Sequence, residues 1–314
     1  MKDMRIVFMG TPDFAVAILK HLVENNYTIA GVITAPDKPA GRGRKINESA
    51  VKKYAKSKDL KILQPTSLKN EDFLAELKSL NANLQIVVAF RMLPKVVWQM
   101  PELGTFNLHA SLLPEYRGAA PIHWSIINGE TKTGVTTFFI DDKIDTGEII
   151  LQEEVAVQET ETVGSLHDKL MHIGASLVSK TVDYIAKGNV VTTKQPDLEE
   201  KSAPKLNTKN TKIDWTDSLD NVYNKIRGLN PFPAAWTLIY NNDEEISAKI
   251  YDVSKQLESH SLDYGAIITT KKELKIAVNG GYIIINEIKL SGKKKMDTKS
   301  LLNGFGFSSD AKMM

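Results

Sequence analysis

The apolar pattern of this chain changes its period once, and that change limits the folds open to it. Up to Gly188, short apolar runs alternate with stretches in which apolar residues recur three or four apart. Such alternation predicts a mainly parallel sheet with helices on both faces. Beyond Asn210 the helix period appears once, at Leu219, Val222, Tyr223 and Ile226, before short strand-like runs parted by polar turns take over. Those runs suggest a small barrel, with the OB type the most economical. The residues between the two patterns have a linker composition of Lys, Thr, Gln, Pro, Asp, Glu and Ser. The expected organisation is α/β: a Rossmann-like, mainly parallel sheet domain over 1–188, a linker over 189–210 and a small OB-like β-barrel domain over 211–314.

A first strand is expected at Arg5 to Met9, then a helix capped by Thr11 with Pro12 at its first position. Strands follow at Thr28 to Thr34, Lys61 to Leu63, Leu84 to Phe90, Thr105 to His109 and Gly134 to Ile140, and a long helix at Val163 to Lys187. In the second part they fall at Ala235 to Tyr240, Ile246 to Val253, Gly265 to Thr269, Leu274 to Val278 and Tyr282 to Ile288. Gly10 stands where dinucleotide folds place a glycine, but Thr11-Pro12-Asp13-Phe14-Ala15 supplies neither later glycine of G-x-G-x-x-G. A dinucleotide-dependent oxidoreductase is therefore disfavoured.

Chemistry concentrates at the end of one strand. Alternation over Thr105 to His109 puts Asn107 and His109 on one face, and the loop that follows is where open α/β sheets bind ligands. An amide can donate to an oxyanion, and an imidazole can move protons near neutral pH. Asp145, in Ile144-Asp145-Thr146-Gly147, could set the orientation and charge of that imidazole. Together they equip a site for acyl transfer to an amine, with roles exchangeable between His109 and Asp145. By spacing alone, Asn-x-His also fits the cap of a turn, and Asp145 an ordinary turn residue. Cysteine is absent, which excludes thiolate chemistry. His21, His123, His167, His172 and His260 lack ligand spacing, so no metal is expected.

The run Asn107-Leu108-His109-Ala110-Ser111-Leu112-Leu113-Pro114, continued by Arg117-Gly118-Ala119-Ala120-Pro121-Ile122, closely resembles the signature of the 10-formyltetrahydrofolate-dependent formyltransferases. Asp145-Thr146-Gly147 matches its second half. Ile6 to Phe14 and Ile226 to Trp236 look like the tRNA-formylating branch, and the likeness runs from about Met4 to Phe307. It implies a catalytic trio at Asn107, His109 and Asp145 and a folate co-substrate, 10-formyltetrahydrofolate, lying against Ser111, Leu112, Leu113 and Pro114. Phe90, Arg91, Met92 and Leu93 would form the folate-pocket turn, although Phe90 and Arg91 depart from the commoner pattern. The acceptor implied is initiator methionyl-tRNA. A sugar amine, a purine precursor or water remains an alternative acceptor, and a non-catalytic RNA-binding barrel an alternative of another class.

Ala35 to Lys45 is a basic, Gly/Pro-rich loop. Read from its residues it fits a solvated surface loop or a phosphate-reaching one; the resemblance favours contact with the acceptor end through Lys38, Arg42, Arg44 and Lys45. Lys205 and Lys293-Lys294-Lys295 could add salt-sensitive attraction. The net charge of +2 is too small to announce such a partner by itself. No apolar run is long enough for a membrane span or a secretory leader, so the cytoplasm is the expected location; a monomer is also expected.

Overall fold

The computed structural model describes residues 3–40, 45–196 and 201–314. Its contacts divide the chain into two compact units: Met1–Gly118 with Thr133–Val155 and His167–Ser202, and Ala119–Lys132 with Ala156–Leu166 and Ala203–Met314. Among the described residues no helix is long and apolar enough to cross a membrane.

The first unit is built on a seven-stranded sheet. In spatial order its strands are Ile149–Ala156, Lys132–Phe139, Thr105–His109, Leu84–Val88, Arg5–Gly10, Thr28–Ile33 and Ile62–Leu63. The Arg5–Gly10 strand pairs in parallel with both neighbours, and Leu84–Val88 pairs in parallel with Thr105–His109. Lys132–Phe139 runs antiparallel to Thr105–His109. Ile6, Val7, Phe8 and Met9 are fully buried, as a strand covered on both faces must be. One side of the sheet packs Val7, Met9, Ile33 and Val87 against Phe73, Leu77 and Leu80 of the segment around Glu71–Ser79.

Several boundaries differ from the sequence expectation for identifiable reasons. The first helix is Asp13–Glu24, and Pro12 rather than Thr11 occupies its N-cap position, without a side-chain cap. The strand expected to reach Phe90 stops at Val88, because Ala89 turns into the left-handed region at φ +46°. Ile149–Ala156 was missed as a strand. Gly10 is a close-approach glycine: a Cβ there would meet that of Ala15 at 2.5 Å.

The second unit carries the expected barrel. Its sheet runs Ile267–Thr269, Leu274–Val278, Gly281–Leu290, Glu244–Leu257, Ala235–Asn241 and Lys312–Met313. An isolated antiparallel bridge from Ala266 to Lys312 joins the two ends, so the sheet nearly closes on itself and leaves little free edge. Alternate residues of Ala235–Asn241, namely Ala235, Thr237, Ile239 and Asn241, point inward. The helix Leu219–Arg227, capped by the Ser218 hydroxyl on the Asn221 amide, lays Leu219, Val222, Tyr223 and Ile226 into the same core. The closing strand Lys312–Met313 was not anticipated. Two segments from the part of the chain before residue 189, 119–132 and 156–166, also pack within this unit.

Candidate active site

The carboxyl ends of two adjacent parallel strands, Leu84–Val88 and Thr105–His109, open onto the site. Asn107 is half-buried and His109 buried, two residues apart on one face. The loop after Phe139 brings Asp145 to them: its Oδ2 lies 3.7 Å from His109 Nδ1, with side chains 16% and 7% exposed. That separation is too long for a direct hydrogen bond and short enough for strong electrostatic communication or a bridging water. The other imidazole nitrogen, Nε2, is 2.8 Å from the Tyr116 carbonyl. A carbonyl can only accept, so Nε2 carries the hydrogen and, in the neutral ring, Nδ1 presents its lone pair toward Asp145.

Asp145 sits at φ +53°, a left-handed conformation that an Asp tolerates better than most residues. Its Oδ2 accepts a hydrogen bond from the Gly118 amide at 3.0 Å. Gly147 follows where no side chain fits, since a Cβ would lie 1.6 Å from the Phe139 carbonyl oxygen. Gln195, buried, donates through Nε2 to the carbonyls of Asp145 at 3.0 Å and Gly147 at 2.7 Å. Its Oε1 accepts from Nε and Nη2 of Arg117. Arg117, Gln195, Thr146, Gly147 and the Asp141–Lys143 turn line an adjoining cavity of about 510 Å³.

The strap expected to face the folate is equally tied down. Thr136, fully buried on the neighbouring strand, donates from Oγ1 to the Ser111 carbonyl at 2.7 Å and accepts from the Leu113 amide at 3.2 Å. Gln152 Nε2 donates to both Thr136 Oγ1 and the Leu113 carbonyl. The Ser111 hydroxyl donates to the Glu115 carbonyl at 2.6 Å, so it serves the loop itself. Leu113 is buried against Phe138 and Ile149, while Leu112 and Pro114 are half-buried.

In the turn after the companion strand Leu84–Val88, Leu93 is buried, Phe90 half-buried, and Met92 69% exposed. Arg91 donates to the carbonyls of Pro65 and Thr66 and stands 5.6 Å from the Phe90 ring centroid. Burial lowers the pKa of this guanidinium from its ordinary value. The departure from the commoner family pattern thus has a local role, a clasp between two loops.

Of the basic residues, Lys38 is exposed on a short strand, Lys38–Ala40, which pairs antiparallel with Lys45–Asn47, the strand that begins with Lys45. Arg42 and Arg44 lie outside the described residues. Asp37, at the root of this hairpin, accepts from Lys52 Nζ at 2.5 Å and Gln64 Nε2 at 2.9 Å, and Glu48 pairs with Lys56 at 2.6 Å. Hydrogen bonding to Lys52 first, then to Gln64, holds the Asp37 carboxyl below its ordinary range; Lys56 does the same for Glu48. Lys205 is exposed in the second unit. Among the described residues no group of three metal-ligating side chains occurs.

Thr136, Gln152, Gln195 and Tyr116 were not foreseen. Gln195 fell in the stretch read as linker, and a lone glutamine there carries no periodic signal. Thr136 is followed by Thr137 and Gln152 by Glu153 and Glu154, so neither stands out as a lone polar residue in an alternating strand.

Comparison with known proteins fits this geometry. Residues 4–182 match the family described as formyl transferase, and residues 205–306 its C-terminal domain. The chain is 60% identical over 314 residues to the methionyl-tRNA formyltransferase of Flavobacterium johnsoniae, covering 100% of both. It is 51% identical over 318 residues to the enzyme of that name from Bacteroides thetaiotaomicron, covering 99% of each. Solved structures share the fold at low identity. A sugar 3N-formyl transferase, WlaRD, in the presence of dTDP and 5-N-formyl-THF, superposes with TM-score 0.62 and 21% identity over 94% of this chain and 100% of that one. HypX from Aquifex aeolicus in complex with tetrahydrofolic acid gives 0.65 and 16% over 96% and 47%.

Proposed function

The chain belongs to the formyl transferase family, and on that premise we propose that it passes a formyl group from 10-formyltetrahydrofolate to the α-amino group of methionine on initiator tRNA, for translation initiation. The observation that carries the chemistry is the convergence of Asp145 on the strand face holding Asn107 and His109. The choice of acceptor is supported by relatives named for that reaction along their whole length.

The attacking amine must be uncharged, and with an ordinary α-amino pKa of about 7.7–8.0 a fraction already is near neutrality. As its nitrogen bonds to the formyl carbon, the formyl oxygen gains negative charge and the nitrogen an excess proton. The Asn107 amide would donate to that oxygen, a contribution of roughly 2.7–4 kcal/mol for one such donor. His109 Nδ1 takes the proton, because Nε2 is committed to the Tyr116 carbonyl. The Asp145 carboxylate beside Nδ1 balances the resulting imidazolium charge. When the bond to the folate nitrogen breaks, that nitrogen needs a proton, and the same His109 edge or a water ordered by Asp145 returns it.

The folate would lie between the Ser111–Pro114 strap and the Phe90–Leu93 turn. Both leave the carboxyl ends of neighbouring parallel strands, where sheets of this kind bind ligands. Exposed Met92 beside half-buried Phe90 offers an apolar wall suited to a flat ring. Lys38, Arg42, Arg44, Lys45 and Lys205 would contribute attraction to the RNA backbone, and the barrel unit a further tRNA contact. We further propose that the enzyme acts as a cytoplasmic monomer.

Formyl transfer to methionyl-tRNA, free methionine and an amino sugar, each with and without 10-formyltetrahydrofolate, tests donor and acceptor together. Folate-dependent formylation of methionyl-tRNA alone is expected. Transfer to the amino sugar instead would reassign the acceptor, and transfer to none would end the reading.

A further inference from the structure

The Asp145 loop is braced by a residue outside the reacting trio. Gln195 spends its amide nitrogen on the carbonyls of Asp145 and Gly147, which flank Thr146, and its amide oxygen on the Arg117 guanidinium. Arg117 adjoins Gly118, whose backbone amide donates to Asp145 Oδ2. A closed circuit of hydrogen bonds therefore runs from the main chain of Asp145 through Gln195, Arg117 and Gly118 back to the Asp145 carboxylate. The circuit grips a residue in a left-handed conformation, at φ +53°, which a free loop would readily abandon. Asp145 also lies two residues before Gly147, where the loop backbone approaches the Phe139 carbonyl too closely for a side chain. Gln195 is 5% exposed, and among the described residues its amide is satisfied by this loop and Arg117.

The geometry points to Gln195 as a positioning residue for the transfer reaction, one that acts by holding the Asp145 carboxylate at its 3.7 Å separation from His109. Glutamine suits this post because it donates twice and accepts on the opposite atom. Glutamate would keep the contact to Arg117 and lose both donors to the loop. Displacement of a catalytic group by about 1 Å can cost roughly 100-fold in rate, so the effect should appear in turnover more than in substrate binding.

This inference rests on the proposed transfer reaction, and the test separates the two. Wild-type protein is assayed first with methionyl-tRNA and 10-formyltetrahydrofolate; no activity would remove the reading and this inference with it. With an active wild type, Gln195→Ala is expected to lower kcat about 10- to 100-fold, to change either KM by no more than about 3-fold, and to leave the melting transition cooperative. Gln195→Glu should lose nearly as much although it retains side-chain length, and it decides the matter if the alanine variant fails to fold. The decisive comparison is with Asp145→Asn. If Gln195 works through Asp145, the double variant Gln195→Ala/Asp145→Asn should be no slower than Asp145→Asn alone. Losses that multiply, or a Gln195→Glu variant with wild-type kcat, would overturn the proposal while leaving the transfer reaction standing.

Discussion

Loops of the first unit are held in two opposite ways. The segments carrying Ser111 to Pro114 and Asp145 are anchored by buried, uncharged side chains, Thr136 and Gln195, each satisfying several backbone groups at once. Among the described residues, the paired strands Lys38–Ala40 and Lys45–Asn47 are flanked by the ion pairs of Asp37 with Lys52 and Glu48 with Lys56, all partly open to solvent, with Gln64 also donating to Asp37. Buried hydrogen bonds fix position to fractions of an ångström and are costly to break. Surface ion pairs contribute little stability and are screened by salt. The difference matches the proposed tasks: bond-making needs atoms in register, whereas attraction to a phosphate backbone tolerates movement.

The largest effects that could break this contrast lie at the reacting groups. His109→Ala should lower single-turnover formyl transfer by about 10²- to 10⁴-fold, and Asn107→Ala by about 10²- to 10³-fold, with the circular dichroism spectrum unchanged. Transfer within twofold of wild type in either variant would remove that residue from its role. Next comes Thr136→Val, which keeps the shape of the side chain and strands the Ser111 carbonyl and the Leu113 amide. A destabilisation of about 1–3 kcal/mol is expected in urea unfolding, together with a clear fall in kcat. Unchanged kcat in a destabilised variant would show that the strap need not be rigid.

The hairpin should respond differently. Lys38→Ala is expected to weaken tRNA binding only a few-fold and to reduce the slope of log K against log salt by up to about 0.9, with the single-turnover rate at saturating tRNA unaltered. A loss of chemistry at saturation would mean that the hairpin also shapes the reaction centre. The smallest effect concerns pH. Asp37 and Glu48 are held below their ordinary range by their lysine partners. Their contribution is therefore present above the unfolded carboxylate values of about 4, and is lost as pH falls through the lowered folded ones. Amide resonances of Lys38 and Ala40 should begin to shift below about pH 4, and in Lys52→Met they should do so at higher pH. An identical onset in wild type and Lys52→Met would show that the ion pair does not hold the hairpin.

Sequence carried the frame of this site further than its supports. The alternation in Thr105 to His109 was enough to place Asn107 and His109 on one face, because a strand's period is a local property. Asp145 was reached through motif likeness, since nothing in thirty-odd intervening residues measures a distance in space. The braces were illegible for a physical reason: Thr136 and Gln195 act on backbone carbonyls and amides, which every residue possesses, so their partners leave no mark in the sequence. The same holds for the barrel. Its long strands showed their alternation, while Lys312–Met313, too short to have a period, is defined by the edges it joins.

With its far nitrogen moored to Tyr116, the His109 ring has a single working edge. In its proposed part it is a turnstile and not a conduit: whatever hydrogen enters beside Asp145 must leave by the same gate. Loading from the amine and unloading toward the departing nitrogen, directly or through a water ordered by Asp145, would therefore be successive events at one edge. In that proposed part, the order of proton uptake and return would be tied to the mooring on one carbonyl.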